Sequence, residues 1–150
     1  MKKVMVVYHS QEFGNTEKVA KLVAQGVRQA GDIQVEMINT NEVQRVDIKA
    51  LAEADGVALG SPDYGSYVAG TIKQVFDDIY MANKVGVSVQ GKPCVLFMTH
   101  GGGGHAIEPF RRMARNLKLV AEPFVCQREP EEGCPEAVAL GEALGKAVLG

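Results

Sequence analysis

Apolar and polar positions follow two periods along the chain, and their alternation predicts its elements. Lys3 to Tyr8 is a short, mainly apolar run followed by small and polar residues from His9 to Thr16, which predicts a buried strand and then a loop. From Thr16 the apolar residues Val19, Leu22, Val23 and Val27 recur at helical spacing, and Gly31-Asp32 ends the pattern. Ile33, Val35 and Met37 alternate with Gln34 and Glu36, as in a half-buried strand near an edge. Asp47 is placed to cap a short helix through Leu51 and Ala54. Gly56 to Gly60 predicts a third strand, broken by Ser61-Pro62. Ile72, Val75, Phe76 and Ile79 form an i, i+3, i+4, i+7 stripe, and Cys94 to Met98 fills a fourth strand. Ile107, Phe110, Ala114 and Leu117 predict a fourth helix. Leu119 to Cys126 holds a fifth strand whose Pro123 favours an edge, and Ala137, Leu140, Gly141, Leu144 and Val148 close the chain as a fifth helix.

Five strands alternating with five helices predict an α/β fold: a three-layer α-β-α sandwich around a five-stranded parallel sheet. Right-handed crossovers leave few topologies. A common one is the 2-1-3-4-5 order, whose ligand crevice lies where the first and third strands diverge, beyond the carboxyl ends of the strands. The 150 residues suit a single domain, 1–150.

Composition narrows the function classes. Sixteen Lys and Arg against 18 Asp and Glu give a net charge of −2, without the basic excess of a nucleic-acid binder. No apolar run reaches the roughly 20 residues of a membrane span, and the first eight residues lack the pattern of a signal peptide. Cys94, Cys126 and Cys134 show no C-x-x-C pair or zinc-ligand spacing; no metal site is expected. They read as reduced thiols in a cytoplasmic protein, with Cys134 the most exposed.

Three segments fall at the predicted ligand end. Ser10-Gln11-Glu12-Phe13-Gly14-Asn15-Thr16 opens the first helix; hydroxyls, an amide and helix N-terminal N–H groups can wrap a phosphate there, and Asn15 or Thr16 can equally cap the helix. No Lys or Arg lies in this loop, so its donors are neutral, and the G-x-x-x-x-G-K-[ST] loop is absent. Ser61-Pro62-Asp63-Tyr64-Gly65-Ser66-Tyr67 follows the third strand and offers aromatic faces to a planar ring. Thr99-His100-Gly101-Gly102-Gly103-Gly104-His105 follows the fourth; four glycines lose much chain entropy on ordering, and they allow close backbone approach to a ring edge.

These residues carry a resemblance. The patterns S-x-x-x-G-N-T, G-S-P-x-Y-G and T-x-G-G-G after the first, third and fourth strands resemble the flavodoxin-like FMN-binding family over essentially the whole chain. Gly60 to Gly65 with Lys73, Phe76, Asp77 and Gly91-Lys92-Pro93 resembles the multimeric NAD(P)H:quinone oxidoreductase branch. Glu122-Pro123-Phe124 through Pro130-Glu131-Glu132 is similar to the flavodoxin domain of diiron flavoproteins. The resemblance implies FMN held by three loops. Ser10, Gly14, Asn15 and Thr16 match the phosphate loop, here one residue longer, with Gln11, Glu12 and Phe13 filling the extra space. Ser61, Pro62, Asp63, Tyr64 and Gly65 match the loop along the ring, and Thr99, His100, Gly101, Gly102 and Gly103 the loop at its pyrimidine edge.

Two functions follow. As an electron carrier, the protein exchanges electrons with a redox partner protein, and neutral phosphate donors together with Asp63 lower the flavin potential. As an oxidoreductase, it takes hydride from NAD(P)H and reduces a quinone or similar small acceptor, with His100 or His105 supplying a proton. The expected assembly is a monomer or small homo-oligomer, with no nucleic acid or membrane among its partners. A phosphoacceptor receiver domain of the same strand order is excluded by residue type, since its acidic and lysine positions hold Tyr8-His9-Ser10, Ser61 and Thr99-His100.

Overall fold

The computed structural model describes residues 1–11 and 13–150; Glu12 lies outside the described residues. The first strand, β1 (Lys2–Tyr8), shows how the layers arise. Successive strand side chains point to opposite faces. Val4, Val6 and Tyr8 therefore enter one core with Val19, Val23 and Leu144, while Met5 and Val7 enter a second with Leu51, Ile72 and Phe110. Each such side chain contributes about 1.5–3 kcal/mol on full burial, so the two cores fix the strand's register.

The first core lies under α1 (Asn15–Ala30) and α5 (Pro135–Leu149), the second under α2 (Ile48–Glu53), α3 (Gly70–Asn83) and α4 (Ile107–Met113). Between them, β2 (Ile33–Asn39), β1, β3 (Gly56–Tyr64) and β5 (Pro93–His100) run parallel in that order, with β2 on the edge as its alternation predicts. Asp47 caps α2, accepting the Ala50 N–H at 3.1 Å.

The fifth lane is split. β6 (Lys118–Leu119) pairs with the start of β5 and β7 (Phe124–Gln127) with its end, so the sheet has seven strands among the described residues on a 2-1-3-4-5 plan. The break falls at Val120–Pro123, where proline cannot donate to a ladder. Two boundaries also differ from expectation. β3 continues through Ser61-Pro62 to Tyr64, then turns at Gly65-Ser66 into β4 (Tyr67–Val68), its antiparallel partner. Both turn residues have positive φ, 62° and 66°, the geometry of the tight hairpin turn that suits strand twist. The fourth helix stops at Met113 and reaches Leu117 through turns.

Cys134 is not the exposed thiol that its polar surroundings suggested: it is buried at the N-cap of α5, and Cys126 is the half-exposed one. Among the described residues no helix is long and apolar enough to cross a membrane.

Candidate functional site

All three predicted loops meet at the carboxyl end of the sheet, around a cavity of about 640 Å³. That volume falls within the range of small-molecule and cofactor sites. Gln11, Phe13, Asn15 and Thr16 come to it from the first loop, Pro62, Asp63 and Tyr64 from the second, and Thr99, His100 and Gly101 from the third. Ser10, Gly14, Ser61, Gly65, Gly102 and Gly103, also predicted for the site, do not line the cavity, and Glu12 lies outside the described residues.

The first loop is held from beneath. Asn39, at the end of β2, accepts the Ser10 N–H at 3.0 Å and donates to the Ser10 carbonyl at 2.9 Å. Ser10 Oγ in turn accepts the Glu17 N–H at 3.1 Å, which satisfies a donor in the first turn of α1. Neither Asn15 nor Thr16 caps this helix: Gly14 is the N-cap residue, with φ +70° and no side-chain cap. The Thr16 hydroxyl instead meets that of Thr99 at 2.8 Å, both residues buried, which ties the first loop to the third. Among the described residues no acceptor faces the N–H groups of Asn15 and Thr16. Such N–H groups at a helix N-terminus, beside a hydroxyl, favour an anion.

The second loop braces itself and its neighbours. Ser61 Oγ donates to the Pro62 carbonyl at 2.7 Å and accepts the Ala69 N–H at 2.9 Å, closing the hairpin from inside. Asp63 accepts the Ala106 N–H at 3.3 Å, so its carboxylate tethers the far end of the glycine-rich loop. Gln11 donates to the Tyr64 hydroxyl at 3.0 Å across the cavity mouth. In the third loop, His100 Nδ1 is buried without a hydrogen-bond partner among the described residues; His105 lies beside Gly103 and does not line the cavity.

Three charged residues at the cavity were not anticipated: Lys18, Arg128 and Glu129. The first loop itself holds no Lys or Arg; these charges reach the cavity from α1 and from the residues after β7. Lys18 donates to Glu129 at 2.7 Å, and that bond holds the Glu129 carboxyl below its usual range. No local motif signals the pair, since its members lie 111 residues apart.

His9 lies under the site, also unanticipated. Its Nδ1 is 2.6 Å from the Thr71 hydroxyl, its ring meets Tyr64 edge to face, and its Nε2 is buried without a partner among the described residues. Burial lowers its proton affinity below the ordinary histidine value. The unfolded chain thus takes up this proton at higher pH than the folded chain. His9's contribution is complete above about pH 6.5 and is lost as pH falls through the folded value. The thermal midpoint is expected to fall between about pH 7.5 and 5.5, with a flatter slope in His9→Gln. An identical slope in that variant would assign the decline elsewhere.

Known proteins resemble the chain over most of its length. The family model described as NADPH-dependent FMN reductase matches residues 2–123. A flavodoxin of Aquifex aeolicus is 35% identical over 104 residues, 69% of this chain and 53% of its own, so the chain spans about half the length of that relative. Among solved structures, a flavodoxin from the domain Archaea superposes with a TM-score of 0.81 at 24% identity, over 99% of both chains. The flavodiiron protein from Giardia intestinalis superposes at 0.83 and 22%, over 99% of this chain and 36% of its own. With more than three quarters of its length matched by the model and its fold shared with flavodoxins, the chain belongs to the NADPH-dependent FMN reductase family, a flavodoxin-like family that binds FMN.

Proposed function

We propose that this chain is an electron carrier that holds FMN in the sheet-end cavity and exchanges electrons with a protein partner. The observation that carries the reading is the convergence of unlike chemistry on one cavity: anion-favouring N–H and hydroxyl groups at the start of α1, and aromatic and imidazole groups on the same wall. The residues present suit the group. Asn15, Thr16 and the Ser10 support would hold its phosphate; Phe13, 74% exposed, and Tyr64, 44% exposed, offer faces to its ring. His100 Nδ1, buried without a partner among the described residues, fits a polar ring edge. FMN supplies the redox chemistry, while the chain supplies binding, orientation and electrostatics. A single domain, the cytoplasm and a monomer or small homo-oligomer complete the reading; the free thiols support a reducing compartment.

The second reading is an NAD(P)H-dependent reductase of quinones or similar acceptors. The family model's description favours it, as does His100, a titratable side chain on the cavity wall. One anaerobic experiment separates the two. The chain is loaded with FMN, freed of excess flavin and mixed with NADPH or NADH while flavin absorbance is followed. A carrier keeps its flavin oxidised with both and loses the absorbance with dithionite or a reductase protein. Bleaching within seconds by either nucleotide makes the protein an enzyme.

A further inference from the structure

We propose that Arg128 sets the flavin potential upward, by placing a cation on the cavity wall where reduction adds negative charge. The proposal rests on the reading of the cavity as an FMN site, and it concerns a residue outside all three loops.

Arg128 follows directly on β7, whose last residue, Gln127, pairs with His100. Its N–H donates to the His100 carbonyl at 2.7 Å, so the sheet itself positions the residue beside the third loop. Its backbone is left-handed, with φ +59°, a conformation uncommon for a side chain of this size. Such strain persists only where the surroundings enforce it. The turn brings Arg128 to line the same cavity as Thr99, His100 and Gly101.

Arg128 is the wall cation that no ion pair among the described residues engages. The described charged residues on the wall are Lys18, Asp63, Arg128 and Glu129. Lys18 and Glu129 neutralise one another at 2.7 Å, while Asp63 accepts the Ala106 N–H and keeps its negative charge, so Asp63 and Arg128 act on the cavity with opposite signs. No acidic partner of Arg128 occurs among the described residues. A cation facing a cavity stabilises whichever bound state carries more negative charge, and a guanidinium stays protonated throughout. Reduced FMN is that state. Arg128 is exposed, so solvent and salt weaken the effect without changing its sign.

The test is an anaerobic redox titration of the FMN-loaded full chain and of Arg128→Gln and Arg128→Lys, with FMN and riboflavin affinities measured beside it. Arg128→Gln is expected to bind oxidised FMN within about threefold of the parent. Its preference for reduced over oxidised flavin should fall about tenfold, which is about 30 mV for a two-electron couple. Arg128→Lys should restore most of the midpoint, and added salt should shrink the difference. Asp63→Asn keeps an acceptor for Ala106 and serves as the opposite-sign control, raising the midpoint; a shift of the same sign in both variants overturns the electrostatic account. So does bound FMN with an unchanged midpoint in Arg128→Gln, or a loss of FMN affinity that spares riboflavin, which would make Arg128 a phosphate ligand. A parent chain that retains no FMN would instead overturn the reading of the cavity, and that result is seen before any variant is made.

Discussion

Replacing Gly141 with alanine should lower the stability of the chain by about 3 kcal/mol, a fall of roughly 9 °C in thermal midpoint for a chain of this length. The cause is the seam between α1 and α5. A Cβ at Gly141 would lie 1.9 Å from the Val23 carbonyl oxygen and 2.9 Å from the Val27 nitrogen. The reciprocal position is as tight, since a Cβ at Gly26 would lie 1.9 Å from the Val138 carbonyl oxygen. These neighbours are backbone, so no rotamer change relieves the clash. One helix must move off the other, loosening a core that includes Val23, Val27, Leu140 and Leu144. The helix propensity of alanine, about 1 kcal/mol better than glycine, offsets only part of this. Gly70 is the control: a Cβ there meets nothing within 4 Å, and Gly70→Ala should leave stability within about 0.5 kcal/mol or raise it slightly. Thermal unfolding followed by circular dichroism decides the matter. Equal behaviour of the two variants would show that the seam yields more easily than its geometry states.

Thr16→Val should weaken FMN binding about thirtyfold while changing riboflavin binding by no more than about threefold. A hydrogen bond to a charged group contributes roughly 1.5–3 kcal/mol, and about 2 kcal/mol is a thirtyfold change in dissociation constant. The buried hydroxyl pair explains why Thr16 carries so much. When Thr99 donates to Thr16 across their 2.8 Å contact, the Thr16 proton is free to point at an anion beside the N–H groups of Asn15 and Thr16, which meet no acceptor among the described residues. Valine keeps the shape, removes the donor and leaves the Thr99 hydroxyl buried without its partner. Thr99→Val should show a smaller loss of the same kind, because it disturbs the orienting bond and spares the donor. Fluorescence titration with the two flavins measures both variants. Parallel losses for FMN and riboflavin would place Thr16 away from the phosphate.

The elements that rest on local pattern were legible in the residues. Val4 to Tyr8, the alternation of Ile33 to Met37 and the stripe of Ile72 to Ile79 each report burial through their own periodicity, and burial is what selects strand or helix there. The three loops were legible for a related reason: each directly follows a recognisable strand, so a parallel sheet brings them to one end. Pro62 misled because a proline usually ends a strand. Here β1 has already finished opposite Gly60, so on that side the sheet asks no hydrogen bond of Pro62, while β3 keeps its pairing with β5 as far as Thr99.

What lay beyond the sequence was whatever depends on two distant segments meeting. Thr16 and Thr99 are 83 residues apart, Lys18 and Glu129 are 111 apart, and neither pair leaves a local mark. Arg128 follows a short strand at the sheet edge, and its bond to the His100 carbonyl joins it to a residue 28 positions earlier. By itself, then, the order of apolar and polar residues determined the strands, the helices and the layers they form, because burial acts on each residue through its neighbours in the chain; which strands lie side by side was read from the pairing. The charge and the hydrogen-bond wiring of the site were decided by the tertiary structure, because electrostatic and hydrogen-bonding energies depend on separation in space.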